Sequence, residues 1–136
     1  MSQSDLEPIT SVTSVGAMTG SAETEKPIFV APRTCTILGI DLLDNTAIAA
    51  HSSNYGIATV YRKGAAGTSS VLVATKRTSS VGIAAHVPFA LTLTTTTANL
   101  TLDANEALTF KWTENGTGQD LTAASVAVHY VLGTRE

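Results

Sequence analysis

The stretch Leu91–Trp112, LTLTTTTANLTLDANEALTFKW, decides the fold. Four threonines stand in a row at Thr94–Thr97, and threonine recurs on both sides, a composition shared by stalks, glycosylated linkers and sheets. The spacing separates these. Leu91 and Leu93 alternate with Thr92 and Thr94, Leu100 and Leu102 flank Thr101, and Leu108, Phe110 and Trp112 alternate with Thr109, Lys111 and Thr113. A period of two marks a strand with one apolar and one polar face, whereas a mucin-like stalk is proline-rich and lacks it. Threonine is β-branched and favours strands. The stretch therefore predicts about three strands, with the leucines, Phe110 and Trp112 inward and the threonines outward. The Thr94–Thr97 run falls where one strand bends or gives way to the next.

The pattern extends in both directions. Tyr55–Lys63 and Ser70–Lys76 flank Gly64-Ala-Ala-Gly67 and read as a hairpin. Thr34–Leu43 carries apolar residues on both parities: Cys35, Ile37 and Leu43 on one, Leu38, Ile40 and Leu42 on the other. Such a strand is apolar on both faces or carries a bulge near Gly39. Ala47–His51 is ambiguous, a helical turn cut short by Ser52-Ser-Asn-Tyr-Gly56. Asp103–Glu106 and Glu114–Gly118 have turn chemistry, and Ser125–Leu132 is a strong last strand. Long runs with helical apolar spacing are missing. The sum is an all-β fold, an antiparallel β-sandwich or jelly-roll-like barrel of about eight strands. Residues 1–26, polar and small, read as an extended N-terminal arm outside the 27–136 sandwich domain. Within the arm, Val12-Thr-Ser-Val15 has the composition to add to a neighbouring sheet edge.

Composition excludes several function classes. Of 136 residues, 43% are hydrophobic and 14% charged, too apolar and too weakly charged for a disordered chain. So little charge suits a surface that meets another protein, or one made polar by Thr and Ser. The formal charge is −3 and the basic pairs Arg62-Lys63 and Lys76-Arg77 are isolated, which argues against nucleic acid. No apolar run reaches the roughly 20 residues that span a bilayer, and the N-terminus has no secretion signal, so no membrane partner is expected. The lone Cys35 permits no intrachain disulfide and fits synthesis in a reducing cytosol.

With the strands in order, the chain resembles the head decoration, or cement, proteins of tailed bacteriophages over roughly residues 27–132. The resemblance is carried by Phe29-Val-Ala-Pro32, the strand Cys35–Gly39, the hairpin KGAAGTSSVLVAT at Lys63–Thr75, the element ANLTLDANEALTFKW, and the closing strand through Ser125–Leu132. It implies a jelly-roll-like sandwich on the outer surface of an icosahedral capsid, often a homotrimer, with the major capsid protein as partner. The same patterns occur in fibre and tail domains and in carbohydrate-binding sandwiches. A sugar-binding or adhesion module on a fibre or tail is therefore the alternative.

Each candidate site also has a structural role open to it. His51 and His86 end a repeated tetrapeptide, Ile48-Ala-Ala-His51 and Ile83-Ala-Ala-His86. Without clustered carboxylates they read as loop or interface histidines rather than metal ligands, and the repeat reads as coincidence in an Ala-rich chain. His129 sits inside the last strand, facing the sheet surface or a subunit contact. With no Gly-x-Ser-x-Gly, no phosphate loop and no pairable carboxylates, neither an enzyme nor a cofactor is expected. Trp112, Tyr55, Tyr61 and Tyr130 would form a sugar-stacking platform only if exposed, and Trp112 shares parity with Phe110 and Leu108. The expected contacts are Val12, Val15 and Met18 in the arm, Ile48, His51 and Tyr55 in the 47–55 loop, and Ala65 and Thr68 in the 64–70 loop. On this reading the arm is dispensable for folding.

Overall fold

A computed structural model describes residues 7–22 and 24–133. Among them are ten strands: β1 Ile9–Met18, β2 Glu25–Val30, β3 Cys35–Leu43, β4 Tyr55–Arg62, β5 Val71–Arg77, β6 Phe89–Ala90, β7 Thr92–Leu93, β8 Thr101–Leu102, β9 Ala107–Asn115 and β10 Leu121–Leu132. They form two antiparallel sheets. The first runs β1-β10-β3-β6, with β8 also on the β3 edge; the second runs β2-β9-β4-β5-β7. Short 3-10 turns at Gly20–Ala22 and Thr97–Leu100 are the helical segments among the described residues. The two sheets pack as a jelly-roll-like sandwich, the fold class the alternation predicts.

Strand β9 shows how the sequence builds the core. Leu108, Phe110 and Trp112 are fully buried, and Lys111 and Thr113 alternate with them on the outer face. The indole leaves no room beneath it: a Cβ on Gly56, in the adjacent β4, would lie 2.0 Å from the Trp112 ring. Trp112 Nε1 donates to the Gln119 carbonyl at 3.2 Å, so its one polar atom is satisfied.

The mixed parity of β3 is resolved by a bulge. Gly39 pairs with His129 and Ile37 with Tyr130, leaving Leu38 as the extra residue. Cys35 and Ile37 point inward before it, and Ile40 and Leu42 point inward after it.

The Thr94–Thr97 run is the crossing between sheets. Strand β6 pairs with β3 in the first sheet, β7 with β5 in the second, β8 with β3 again, and β9 with β4 in the second. The threonines lie on the passage from β7 back to β8. Thr94 Oγ1 accepts the Thr96 N–H at 3.2 Å there, a side-chain turn that satisfies backbone outside any ladder.

The N-terminal segment differs from the free arm expected. Ile9–Met18 pairs antiparallel with β10 from Ile9↔Tyr130 to Met18↔Leu121, with bulges around Gly16. Val15 and Met18 are each only 4% exposed. The reason is parity: Ile9, Ser11, Thr13 and Val15 share the inward face, and polar spacing hid that stripe. The strand adds to the molecule's own sheet. The second sheet also begins within the supposed arm, at Glu25. Strand β1 is itself an edge, and Lys26 Nζ bonds the Val15 carbonyl, placing a charge where edge pairing would occur.

Candidate interaction surface

The two sheets differ in charge. Among Asp, Glu, Lys and Arg, the strands of the first sheet carry only Asp41, whereas those of the second carry Glu25, Lys26, Arg62, Lys76, Arg77, Lys111 and Glu114. Cross-strand register sets the outer face of the first sheet. Thr10 lies beside His129, Val12 beside Ala127, and Ser14 beside Ser125, and these β10 residues pair in turn with Gly39, Asp41 and Leu43. The face is small and nearly uncharged, and Val12 is 64% exposed on it.

At its centre is one polar cluster. His129 Nε2 lies 2.8 Å from Asp41 Oδ2, and His129 Nδ1 lies 2.8 Å from Thr10 Oγ1. The Asp41 carboxylate is an acceptor for an Nε2–H, and the Thr10 hydroxyl at Nδ1 can donate or accept, so both ring nitrogens have a partner within the face.

The face continues onto one end of the sandwich, where the 44–54, 78–88 and 116–120 loops meet. The loops 44–54 and 78–88 are zipped by the repeated tetrapeptide itself. Ile48 and Ile83 exchange reciprocal backbone hydrogen bonds at 2.8 Å and are both buried. The pairing is made by the first residue of each tetrapeptide. It requires Gly82, since a Cβ there would lie 2.4 Å from the Ile48 carbonyl oxygen. The sequence before and after each isoleucine then faces out: Ala49, Ala50, His51, Ala84, Ala85 and His86 are exposed, as are Val81 and Val87.

Asp44 anchors this end. Its buried carboxylate accepts from the N–H groups of Asn45, Thr122 and Ala123 at 2.8, 3.2 and 2.9 Å, tying the 44–54 loop to the start of β10. Sequence spacing carries no sign of this role, because Thr122 and Ala123 lie nearly 80 positions away. On the far side, Glu114 accepts from the Gly20 N–H at 3.1 Å. A hydrogen bond with Asp120 and partial burial hold the Glu114 carboxyl above the usual carboxylate range. Between face and loops lies a shallow depression of about 350 Å³ lined by Val12, Leu43, Asp44, His86, Ala123 and Ser125.

The expected contact residues separate into groups. Val12 lies on the nearly uncharged face and lines the depression. His51 is exposed in the loop end, and Tyr55 is half-buried beside it with the Arg77 guanidinium over its ring at 5.6 Å. Val15, Met18 and Ile48 are core residues with under 5% exposure and cannot serve as surface contacts. Their apolar side chains are claimed by inward parity or by the Ile48–Ile83 bridge. Ala65 and Thr68 are exposed at the opposite end, because β4 runs from the 44–54 loop at Tyr55 to the 63–70 loop at Arg62. The fold therefore does not bring the two loops together. Trp112 is 0% exposed, so the aromatic platform that sugar stacking needs lacks its largest member.

No protein-family model matches the chain, and no curated protein matches it in sequence. Solved structures do match. A chain of the cyanophage Pam1 capsid asymmetric unit is similar over 93% of this chain and 85% of that one, at a TM-score of 0.51 and 19% identity. A chain of the infectious bursal disease virus VP2 subviral particle is similar over 94% of this chain, with a TM-score of 0.44 and 14% identity. The match spans 34% of that chain. At these identities the likeness is one of fold: the sandwich here has the architecture of a chain found in a phage capsid.

Proposed function

We propose that this chain is a virion structural protein, a decoration or cement protein that binds the outside of an assembled phage capsid through the outer face of the first sheet and its adjoining loop end. The observation that carries this reading is the nearly uncharged face, its one strand carboxylate Asp41 bonded to His129, continuous with an apolar loop tip. Burying such a surface leaves few charges to desolvate, and an exposed apolar patch of this kind marks protein contact. The whole-length fold likeness to a chain of a cyanophage capsid supports the same reading.

The partner in this account is the major capsid protein, and the copies associate as trimers. Val12, His51 and Tyr55 contact the shell or a sister subunit, while Ala65 and Thr68, at the other end, reach a second neighbour. Bridging in this way stabilises the expanded shell by mass action, since a protein that binds one state favours it by its binding free energy. Repetition over the lattice makes modest contacts collectively strong.

Sedimentation tests the proposal. The purified protein should run as a trimer alone and should pellet with expanded cognate shells but not with unexpanded ones. A protein that stays in the supernatant with expanded shells would overturn it.

A further inference from the structure

One side-chain atom holds the turn at His51–Asn54. The backbone N–H groups of Ser53 and Asn54 both donate to His51 Nδ1, at 3.1 and 2.9 Å. An imidazole nitrogen that accepts hydrogen bonds carries no proton, so the ring is the neutral tautomer with its hydrogen on Nε2. The turn is docked in its closed form: the Ser53 carbonyl accepts from Asn115 Nδ2 at 2.9 Å, and Asn54 Oδ1 accepts from the Thr117 N–H at 3.0 Å. The His51 N–H donates to the Thr78 carbonyl at 3.2 Å, which fixes the start of the turn against the end of β5.

We propose that His51 is a pH-sensitive latch, whose protonation at Nδ1 releases the His51–Asn54 turn from the 115–118 turn. A proton on Nδ1 converts the acceptor into a donor facing two amide donors, and all three hydrogens cannot occupy that space. Ser53 Oγ lies 3.5 Å from Nδ1, beyond a normal hydrogen bond. The titratable and charged groups on the surrounding elements do not offset this. Arg77 and the Tyr55 hydroxyl pair with each other at 3.4 Å, Glu114 is bonded to Gly20 and Asp120, and Asp44 is committed to Asn45, Thr122 and Ala123. His86 is on the facing 78–88 loop. Among the described residues none of these groups bonds the His51 ring, so no carboxylate is placed to keep an imidazolium in the closed turn.

His129 shows the contrast. Its two nitrogens face the Asp41 carboxylate and the Thr10 hydroxyl, and a hydroxyl can rotate from donor to acceptor. His129 can therefore take a proton in place, whereas His51 cannot. The latch resides in this chain alone and does not depend on capsid binding.

Amide hydrogen exchange of the full chain tests it. Corrected for intrinsic rates, protection of the Ser53 and Asn54 amides should fall about tenfold or more between about pH 8 and pH 5, with Val60 and Val128 unaffected. In His51→Asn, Oδ1 replaces Nδ1 as acceptor and does not titrate, so protection should persist at both pH values. In His51→Ala it should be low at both. Equal wild-type protection at the two pH values, the same pH-dependent loss in His51→Asn, or full protection in His51→Ala would each overturn the latch.

Discussion

A methyl group on residue 82 has no space. It would sit 2.4 Å from the Ile48 carbonyl oxygen and 2.9 Å from the Ala50 nitrogen, both backbone atoms that cannot swing aside. Gly82→Ala should therefore cost about 1–3 kcal/mol, read as a lowered thermal midpoint. Gly39→Ala is the matched control, because its new Cβ would meet only His129 Cδ2 at 3.6 Å, an ordinary contact. An equal loss in both variants would contradict the zipped-loop account. Cys35 offers a second residue-scale test. Burial, and then the nearby Glu106 charge, push its thiol up to about 11, so it is protonated and inaccessible at neutral pH. A thiol reagent at about pH 8 should label it only after denaturation. Labelling of the folded protein at the rate of the unfolded chain would show the strand β3 core to be open. At this scale the sequence spoke unevenly. The burial of Trp112 was legible because two neighbours share its parity. The roles of Asp44 and His51 were not, because they depend on backbone N–H groups that no residue pattern encodes.

At the scale of elements, the central strands were legible and the first strand was not. The hairpin of β4 and β5 and the long β10 follow from alternation bounded by glycine turns. Even the β3 bulge shows in its change of parity. Strand β1 was hidden because serine and threonine occupy both its faces, leaving only Ile9, Val15 and Met18 to mark the core side. The very short β7 and β8 show in the leucine alternation of Leu91–Leu102, but the sheet that each of β6, β7 and β8 joins does not. Their pairing alternates between sheets. The structure reverses the expectation that residues 1–26 are dispensable. Removing them takes away β1 and part of β2, strips Val15 and Met18 from the core and bares the edge of β10. The truncated protein should lose several kcal/mol, or about the whole stability of a domain this size, and aggregate through the exposed edge. Urea unfolding and solubility measure this, and a truncated protein as stable as the full chain would refute the place given to β1.

For the molecule as a whole, the separation of charge between the two sheets matters most. It was half-legible: the low total charge suggested a surface meeting another protein, but only the strand order shows that β1, β10 and β3 are neighbours. Threonine is polar on both sheets, so composition could not say which face carries fewer ions. In the proposed assembly that face meets the shell. An ammonium placed on it would have to be desolvated on docking, whereas one placed on the already charged second sheet would not. The most direct measurement is the number of copies bound per expanded shell for the wild type, Val12→Lys and Thr75→Lys, each first shown to be folded by its unfolding midpoint. Val12→Lys should bind at about one-tenth of wild-type affinity or less, and Thr75→Lys should match the wild type. Full occupancy by Val12→Lys, or loss of binding confined to Thr75→Lys, would contradict the assignment of the first sheet as the contact face.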